Sequence, residues 1–111
     1  MIKVYRTRTK DVEVPLGERG KRANAAKVDL FYSLHINGFT DSSARGYDTH
    51  VHPQCYSETK QVQSIVQKHL GQLFKKWGSK DRGKKFSNFQ VFRDTKMPAV
   101  LTENGFMTNP D

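Results

Sequence analysis

Apolar residues along the chain fall into short runs that predict β-strands. Residues 30–36 and 97–102 are nearly continuous apolar stretches, which is the pattern of strands covered on both faces. The first of these runs is the best candidate for a central strand. Residues 2–8 alternate apolar and polar side chains and predict a half-buried strand, and residues 47–52 predict another that ends at Pro53. A fifth short strand is expected over residues 89–92.

Two segments have helical character instead. Residues 17–27 contain helix-compatible residues and precede a turn at Asp29. A longer helix is predicted from an N-cap at Ser57 to a stop at Gly78. Its apolar positions recur at steps of three and four residues and predict one buried stripe, with His69 inside it. The stripe comprises Val62, Ile65, Val66, His69, Leu70, Leu73, Phe74 and Trp77.

The alternation of these elements predicts an α/β fold with a mixed, largely parallel sheet flanked by helices. Residues 37–46 are rich in Gly, Asp, Ser and Thr and predict a loop, and residues 79–88 predict a second, basic loop. The length of 111 residues suits a single domain.

Composition excludes several classes of protein. No apolar run reaches the ~18 to 20 residues of a membrane span, and the N-terminus lacks the apolar stretch of a signal peptide. The single cysteine, Cys55, excludes an internal disulfide and a thiolate zinc site. Any metal must therefore be held by His and carboxylate side chains.

The net charge of +8 favours a polyanionic partner, because clustered Lys and Arg attract phosphate or carboxylate polymers. Nucleic acid and an anionic cell wall both fit this description. The basic residues are spread over the chain and do not form one long arm, so most of them are expected to be solvated surface.

Two ionisable residues follow the pattern of a site at a sheet edge. His35 lies near the end of the 30–36 strand, and Glu103 directly follows the 97–102 strand. In open α/β sheets ligands bind outside the carboxyl ends of the strands. A histidine and a glutamate at one edge could serve as a metal ligand and a general acid/base, although a histidine at a strand end is more often structural.

Other candidates carry weaker patterns. His50, His52 and Asp48 share one face of a predicted strand. His-x-His pairs of this kind bind metal ions, but an exposed strand face with mixed polar residues gives the same pattern. Cys55 has no histidine base identifiable beside it, so a nucleophilic role is not favoured.

Several segments together resemble the zinc-dependent N-acetylmuramoyl-L-alanine amidases of bacterial cell-wall remodelling, sporulation and phage lysis. The matching features keep the family's order and spacing over nearly all 111 residues. They are Arg8-Thr9, Arg19 ahead of Asp29, Ser33-Leu34-His35 with Asn37, Asp81-Arg82-Gly83, and the run from Pro98 to Phe106 that contains Glu103.

The resemblance implies a peptidoglycan hydrolase, of the autolysin or endolysin type, that cleaves the amide between N-acetylmuramic acid and the L-alanine of the stem peptide. His35 matches a zinc-binding histidine and Glu103 matches the catalytic glutamate. Zn²⁺ is the implied cofactor, and the extracellular space or cell wall is the implied location. Asp48 stands where relatives usually carry glutamate.

The chain also departs from the family pattern. A strand with a Gly-His-Gly-Gly type motif, which carries the first zinc ligand, and a following helix with a ligand glutamate are both absent. We therefore expect residues 1–111 to be a partial amidase catalytic domain that lacks its first strand and helix, about 30 residues or more, and also the closing helix.

Two alternatives to an independent enzyme stay open. One is a noncatalytic remnant that binds peptidoglycan or a complementing partner chain, since one of three zinc ligands remains. The other is a small nucleic-acid-binding domain, suggested by the charge and by Phe86, Phe89 and Phe92 between basic residues. Nucleic acid is the less expected partner, because charge alone is a nonspecific indication.

Overall fold

The structure is a computed structural model and describes residues 1–110. In chain order the elements are α1 (Leu16–Ala26), β1 (Phe31–Asn37), β2 (Tyr47–Val51), α2 (Ser57–Phe74), β3 (Asp81–Phe86), α3 (Gln90–Asp94) and β4 (Ala99–Phe106). A 3₁₀ turn, Lys75–Trp77, extends α2, and Gly78 ends it in the left-handed conformation with φ 62°. None of the helices among residues 1–110 is both long enough and apolar enough to cross a membrane.

The strands form one mixed sheet in the order β1-β4-β2-β3. β1 pairs with β4 in parallel, β2 pairs with β3 in parallel, and β2 and β4 are antiparallel. Two of the three pairings are parallel, so the predicted mixed, largely parallel sheet is confirmed.

Helices cover both faces of this sheet. On one face α1 and α3 enclose the apolar core, and on the other face α2 packs against β2 and β3. Alternation along β4 directs Leu101 into the core and Thr102 towards the opposite face. Glu103 therefore lies on the same face as the core, at its edge. The core residues are Ala23, Phe31, Val91, Phe92, Ala99 and Leu101.

The buried face of α2 is polar, which corrects the predicted apolar stripe. Gln63 donates to the carbonyls of Thr49 and Lys85, at 3.1 and 3.0 Å, and Gln67 accepts a hydrogen bond from the Thr49 hydroxyl at 2.8 Å. These hydrogen bonds satisfy the amides where they meet the sheet. Of the predicted stripe only Leu70 is buried. The other apolar members are half-buried or exposed, and His69, expected in the core, is exposed.

Strand β1 is an edge strand, so the prediction of a central strand covered on both faces is wrong. Among the described residues it pairs on one side only, with β4. Phe31 and Ser33 are buried, whereas Tyr32, Leu34 and Ile36 are exposed on the other face. The central strands are β4 and β2. The apolar run over 97–102 identified β4 as a buried strand, but no such run marks β2, because its buried residues include Asp48 and Thr49.

Three further local predictions are wrong. Residues 2–8 form no strand: they pair with none of the four described strands, and Ile2 and Val4 are exposed. Residues 79–88 are not simply a loop, because β3 is formed there by pairing with β2. Residues 89–92 belong to the start of helix α3, where Val91 and Phe92 are buried against α1 and β4.

Candidate functional site

Three acidic or imidazole side chains belong to one row across the sheet. His35 of β1 pairs with Glu103 of β4, and Glu103 pairs with Asp48 of β2. Residues in register on adjacent strands point to the same face, with about 5 Å between neighbouring strands. The juxtaposition of His35 and Glu103 predicted from the sequence is therefore present, and Asp48 extends the row.

The His35 imidazole is held in place and is favoured in its neutral form. Its Nε2 atom is 2.8 Å from the Ser33 hydroxyl, which lies two residues earlier on the same face of β1. Burial lowers the pKa of His35, and the nearby Arg19 guanidinium lowers it further. A neutral imidazole is the form that coordinates metal ions.

Glu103 is half-buried, in surroundings that oppose its ionisation. Its Oε2 atom is buried and has no hydrogen-bond partner among residues 1–110. Burial raises the pKa of Glu103, the negative charge of Asp48 raises it further, and His50 acts in the opposite direction. A raised pKa makes a glutamate carboxylate a stronger base, which suits it to accept a proton from water.

Asp48 is the buried centre of a charged cluster, of which sequence analysis identified only the face shared with His50. It is 1% exposed, and its two oxygens accept from His50 Nε2 at 2.7 Å and from Lys85 Nζ at 2.9 Å. The Nε atom of Arg82 lies 3.6 Å away. Burial opposes the ionisation of Asp48, but the hydrogen bonds from His50 and Lys85 outweigh it, so the pKa of Asp48 is lowered.

An extra residue in β3 brings both basic partners to this face. Tyr47 pairs with Asp81, but Thr49 pairs with Lys84, so β3 contains one residue more than β2 over this stretch. Gly83, at φ 88°, lies within the irregularity. As a result Arg82 and Lys85, three positions apart, share a face. Gly83 in the middle of a charged run was the available sequence sign of a bulge.

The remaining candidates do not assemble into a site. His50 is bound to Asp48 and to the Ser87 hydroxyl, and is not on an exposed polar face. His52 lies just beyond β2, 3.2 Å from the Asn88 side chain, so it does not pair with His50. Cys55 is half-buried. No group of three or more His, Cys, Asp or Glu side chains in residues 1–110 is arranged to hold a metal ion.

Comparison with known proteins gives a consistent set of relatives. The family model described as N-acetylmuramoyl-L-alanine amidase matches residues 1–111. The endolysin of Bacillus phage SPP1 is 43% identical over 112 residues, which is 99% of this chain and 41% of that protein. The N-acetylmuramoyl-L-alanine amidase CwlM of Bacillus licheniformis is 36% identical over 108 residues, covering 97% of this chain and 40% of that protein.

Solved structures show the same fold. An N-acetylmuramoyl-L-alanine amidase from Clostridium difficile 630 superposes with a TM-score of 0.85 at 33% identity. The catalytic domain of the amidase CwlV from Bacillus (Paenibacillus) polymyxa gives a TM-score of 0.81 at 34% identity. Each comparison covers 93% of this chain and 54% of the solved chain. This chain therefore spans about two fifths of those curated relatives and about half of those solved domains.

Proposed function

Since the chain belongs to the N-acetylmuramoyl-L-alanine amidase family, we propose that it acts in hydrolysis of the amide between N-acetylmuramic acid and the L-alanine of the stem peptide. The observation that carries this proposal is the pairing of His35 with Glu103 in register on the adjacent strands β1 and β4. It combines a neutral imidazole with a carboxyl group of raised pKa on neighbouring strands. Peptidoglycan is then the substrate, and the cell wall or extracellular space is the place of action.

Zinc dependence is a general property of the family. One side chain of the site, that of His35, is a suitable zinc ligand. His35 offers an imidazole with a lowered pKa. Residues 1–110 do not offer a three-ligand group. We propose that His35 is one zinc ligand and that further ligands come from a segment outside these 111 residues. When bound, zinc polarises a carbonyl group and acidifies water.

Glu103 performs the proton transfers in this proposal. Its buried Oε2 atom has no hydrogen-bond partner among the described residues, so it is free to hold a proton. The carboxylate takes a proton from the attacking water and the carboxylic acid returns it to the nitrogen of the leaving L-alanine. A pKa above its ordinary value makes the Glu103 carboxylate a stronger base towards the attacking water.

A hybrid enzyme tests these roles. The matching 112 residues of the SPP1 endolysin are replaced by this chain, and the release of L-alanine amino groups from purified walls is measured together with zinc content. Glu103→Gln should reduce hydrolysis about 10²-fold or more while zinc content is retained. His35→Ala should reduce zinc content, and His69→Ala, on the exposed side of α2, should change neither. Full hydrolysis by Glu103→Gln would contradict the assignment.

A second candidate function is favoured by the incomplete donor set. In this alternative the chain is noncatalytic and binds peptidoglycan or a complementing partner chain. A hybrid that folds, binds walls and releases no L-alanine, although the parent endolysin does so, would support the alternative. The zinc affinity of the chain alone is also informative, because tight 1:1 binding that is lost in His35→Ala would show that other residues of this chain complete a site.

A further inference from the structure

We propose that Arg82 is a specificity-determining residue that binds a carboxylate on the stem-peptide side of the scissile amide. This inference rests on the proposed function and names a substrate feature that the function alone does not require. It is carried by the placement of the Arg82 guanidinium beside the row of His35, Glu103 and Asp48. Three separate contacts fix that placement.

Each contact holds a different part of the side chain. The guanidinium lies over the Phe106 ring, 5.0 Å from its centroid. The Nε atom faces Asp48 at 3.6 Å. The aliphatic stem lies against Gly46, where a Cβ atom would come within 2.8 and 2.9 Å of Arg82 Cγ and Cδ. Because the Arg82 side chain is already held in place, it loses less conformational entropy when a ligand binds.

The far end of the side chain remains available to a ligand. Neither terminal nitrogen of Arg82 has a hydrogen-bond partner within residues 1–110, and the side chain is 33% exposed. It lines an open pocket of about 250 Å³ together with Lys80, Asp81 and Lys85. The pocket is therefore a place where two guanidinium N–H groups can meet both oxygens of a carboxylate.

The charge of the cluster favours an anion. Arg82 and Lys85 are both directed at one buried carboxylate, that of Asp48, so one positive charge is not balanced there. Asp81 also lines the pocket, where its Oδ1 atom accepts hydrogen bonds from Gln67 of α2 and from the Gly83 amide. Its negative charge offsets the positive charge of Lys80, so the excess of one positive charge remains.

The order of the strands assigns the anion to the peptide half of the substrate. His35, the proposed zinc ligand, is on one side of Glu103, and Asp48 with Arg82 is on the other. With a metal ion held by His35, the muramoyl carbonyl would lie on the β1 side of Glu103 and the leaving peptide would extend towards Arg82. Glu103 would act on the nitrogen of L-alanine, and the Arg82 guanidinium lies beside Asp48, one strand away from Glu103 at about 5 Å. Because an extended peptide advances about 3.5 Å per residue, we assign the carboxylate to the residue that follows L-alanine.

The test uses two muramoyl peptides that differ in one group. The residue following L-alanine carries a free carboxyl group in one peptide and a carboxamide in the other. Each is titrated into the full 111-residue chain, and binding is followed by amide chemical shifts, including those of Gly83 and Phe106. The free acid should bind about tenfold more tightly than the amide, as expected for a charge-assisted, bidentate hydrogen bond.

Variants separate this contact from general charge effects. Arg82→Gln should reduce the preference to within about twofold, and Arg82→Lys should keep an intermediate preference because it keeps the charge without the fork geometry. Lys68→Gln removes the same charge from an exposed position on α2, on the opposite face of the sheet, and should preserve the full preference.

Several results would overturn the inference. They are equal affinity for the two peptides, no binding of either, or a preference that persists in Arg82→Gln. Arg82-dependent binding of poly(glycerol phosphate) without discrimination between the peptides would assign the pocket to a wall phosphate instead. The proposed function is judged separately by Glu103→Gln hydrolysis in the hybrid, so the two failures are distinguishable.

Discussion

Asp48→Asn should destabilise the protein substantially, because it removes the one negative charge on which His50, Lys85 and Arg82 converge. The carboxylate is 1% exposed and accepts hydrogen bonds of 2.7 and 2.9 Å. Hydrogen bonds to charged groups contribute about 1.5–3 kcal/mol each. The side chains of Lys85 and Arg82 are 39% and 33% exposed, so water screens part of this attraction. We expect a loss of about 2–4 kcal/mol in the free energy of unfolding at pH 7.

Urea unfolding followed by far-ultraviolet circular dichroism measures this loss. Asp11→Asn, an exposed position outside the helices and strands, is the matched control and should change the free energy of unfolding by less than about 0.5 kcal/mol. A loss of that small size for Asp48→Asn would refute the reasoning, because it would mean that desolvation of the carboxylate cancels its interactions.

The same variant has a predicted pH dependence. The pKa of Asp48 in the folded state lies below its ordinary value of 3.8, so the folded protein releases this proton more readily than the unfolded chain. The stabilisation is therefore complete above pH 3.8 and is lost as the pH falls through the lower folded pKa. The part of the stability difference between wild type and Asp48→Asn that comes from Asp48 ionisation should shrink as the pH falls below 3.8.

Three further variants test other parts of the structure by urea unfolding. Gly46→Ala should cost at least about 1–3 kcal/mol, since φ is 124° and the new Cβ would lie 2.5 Å from the Lys80 carbonyl oxygen; an unchanged midpoint would contradict that close approach. Leu101→Ala should cost about 2–5 kcal/mol by leaving a cavity between β4 and the helices, and a smaller loss would mean that the core collapses around it. Glu103→Gln should increase the free energy of unfolding at pH 7, because the raised pKa means that ionisation of Glu103 is unfavourable in the folded state. The gain should vanish below the ordinary pKa of 4.5, and a loss of stability at pH 7 would contradict this reasoning.

Local sequence patterns correctly predicted those helices and strands whose own residue preferences agree with their environment in the fold. The helix expected over residues 17–27 is α1, and the strands expected over 30–36 and 47–52 are β1 and β2. The run expected as a strand over 97–102 is the start of β4, which continues to Phe106. Gly78 ends the long helical segment as predicted.

Patterns failed where a neighbour in space decides the conformation. The basic stretch over Asp81–Phe86 became β3 by pairing with β2. Residues 2–8, although their pattern alternates, pair with none of the described strands. The polar face of α2 was missed because hydropathy cannot show that Gln63 and Gln67 find hydrogen-bond partners on the sheet.

The sequence by itself determined the family and the fold class, and it singled out His35 and Glu103 as a pair, because these depend on residue identity and order. Glu103, expected just beyond a strand, lies within β4. Only the tertiary structure decided that Asp48 is buried beside Glu103, and that Arg82 and Lys85 face it across a bulge at Gly83. Strand register and the pKa of a buried carboxyl group depend on atoms that lie far apart in the chain, and no local pattern of residues contains that information.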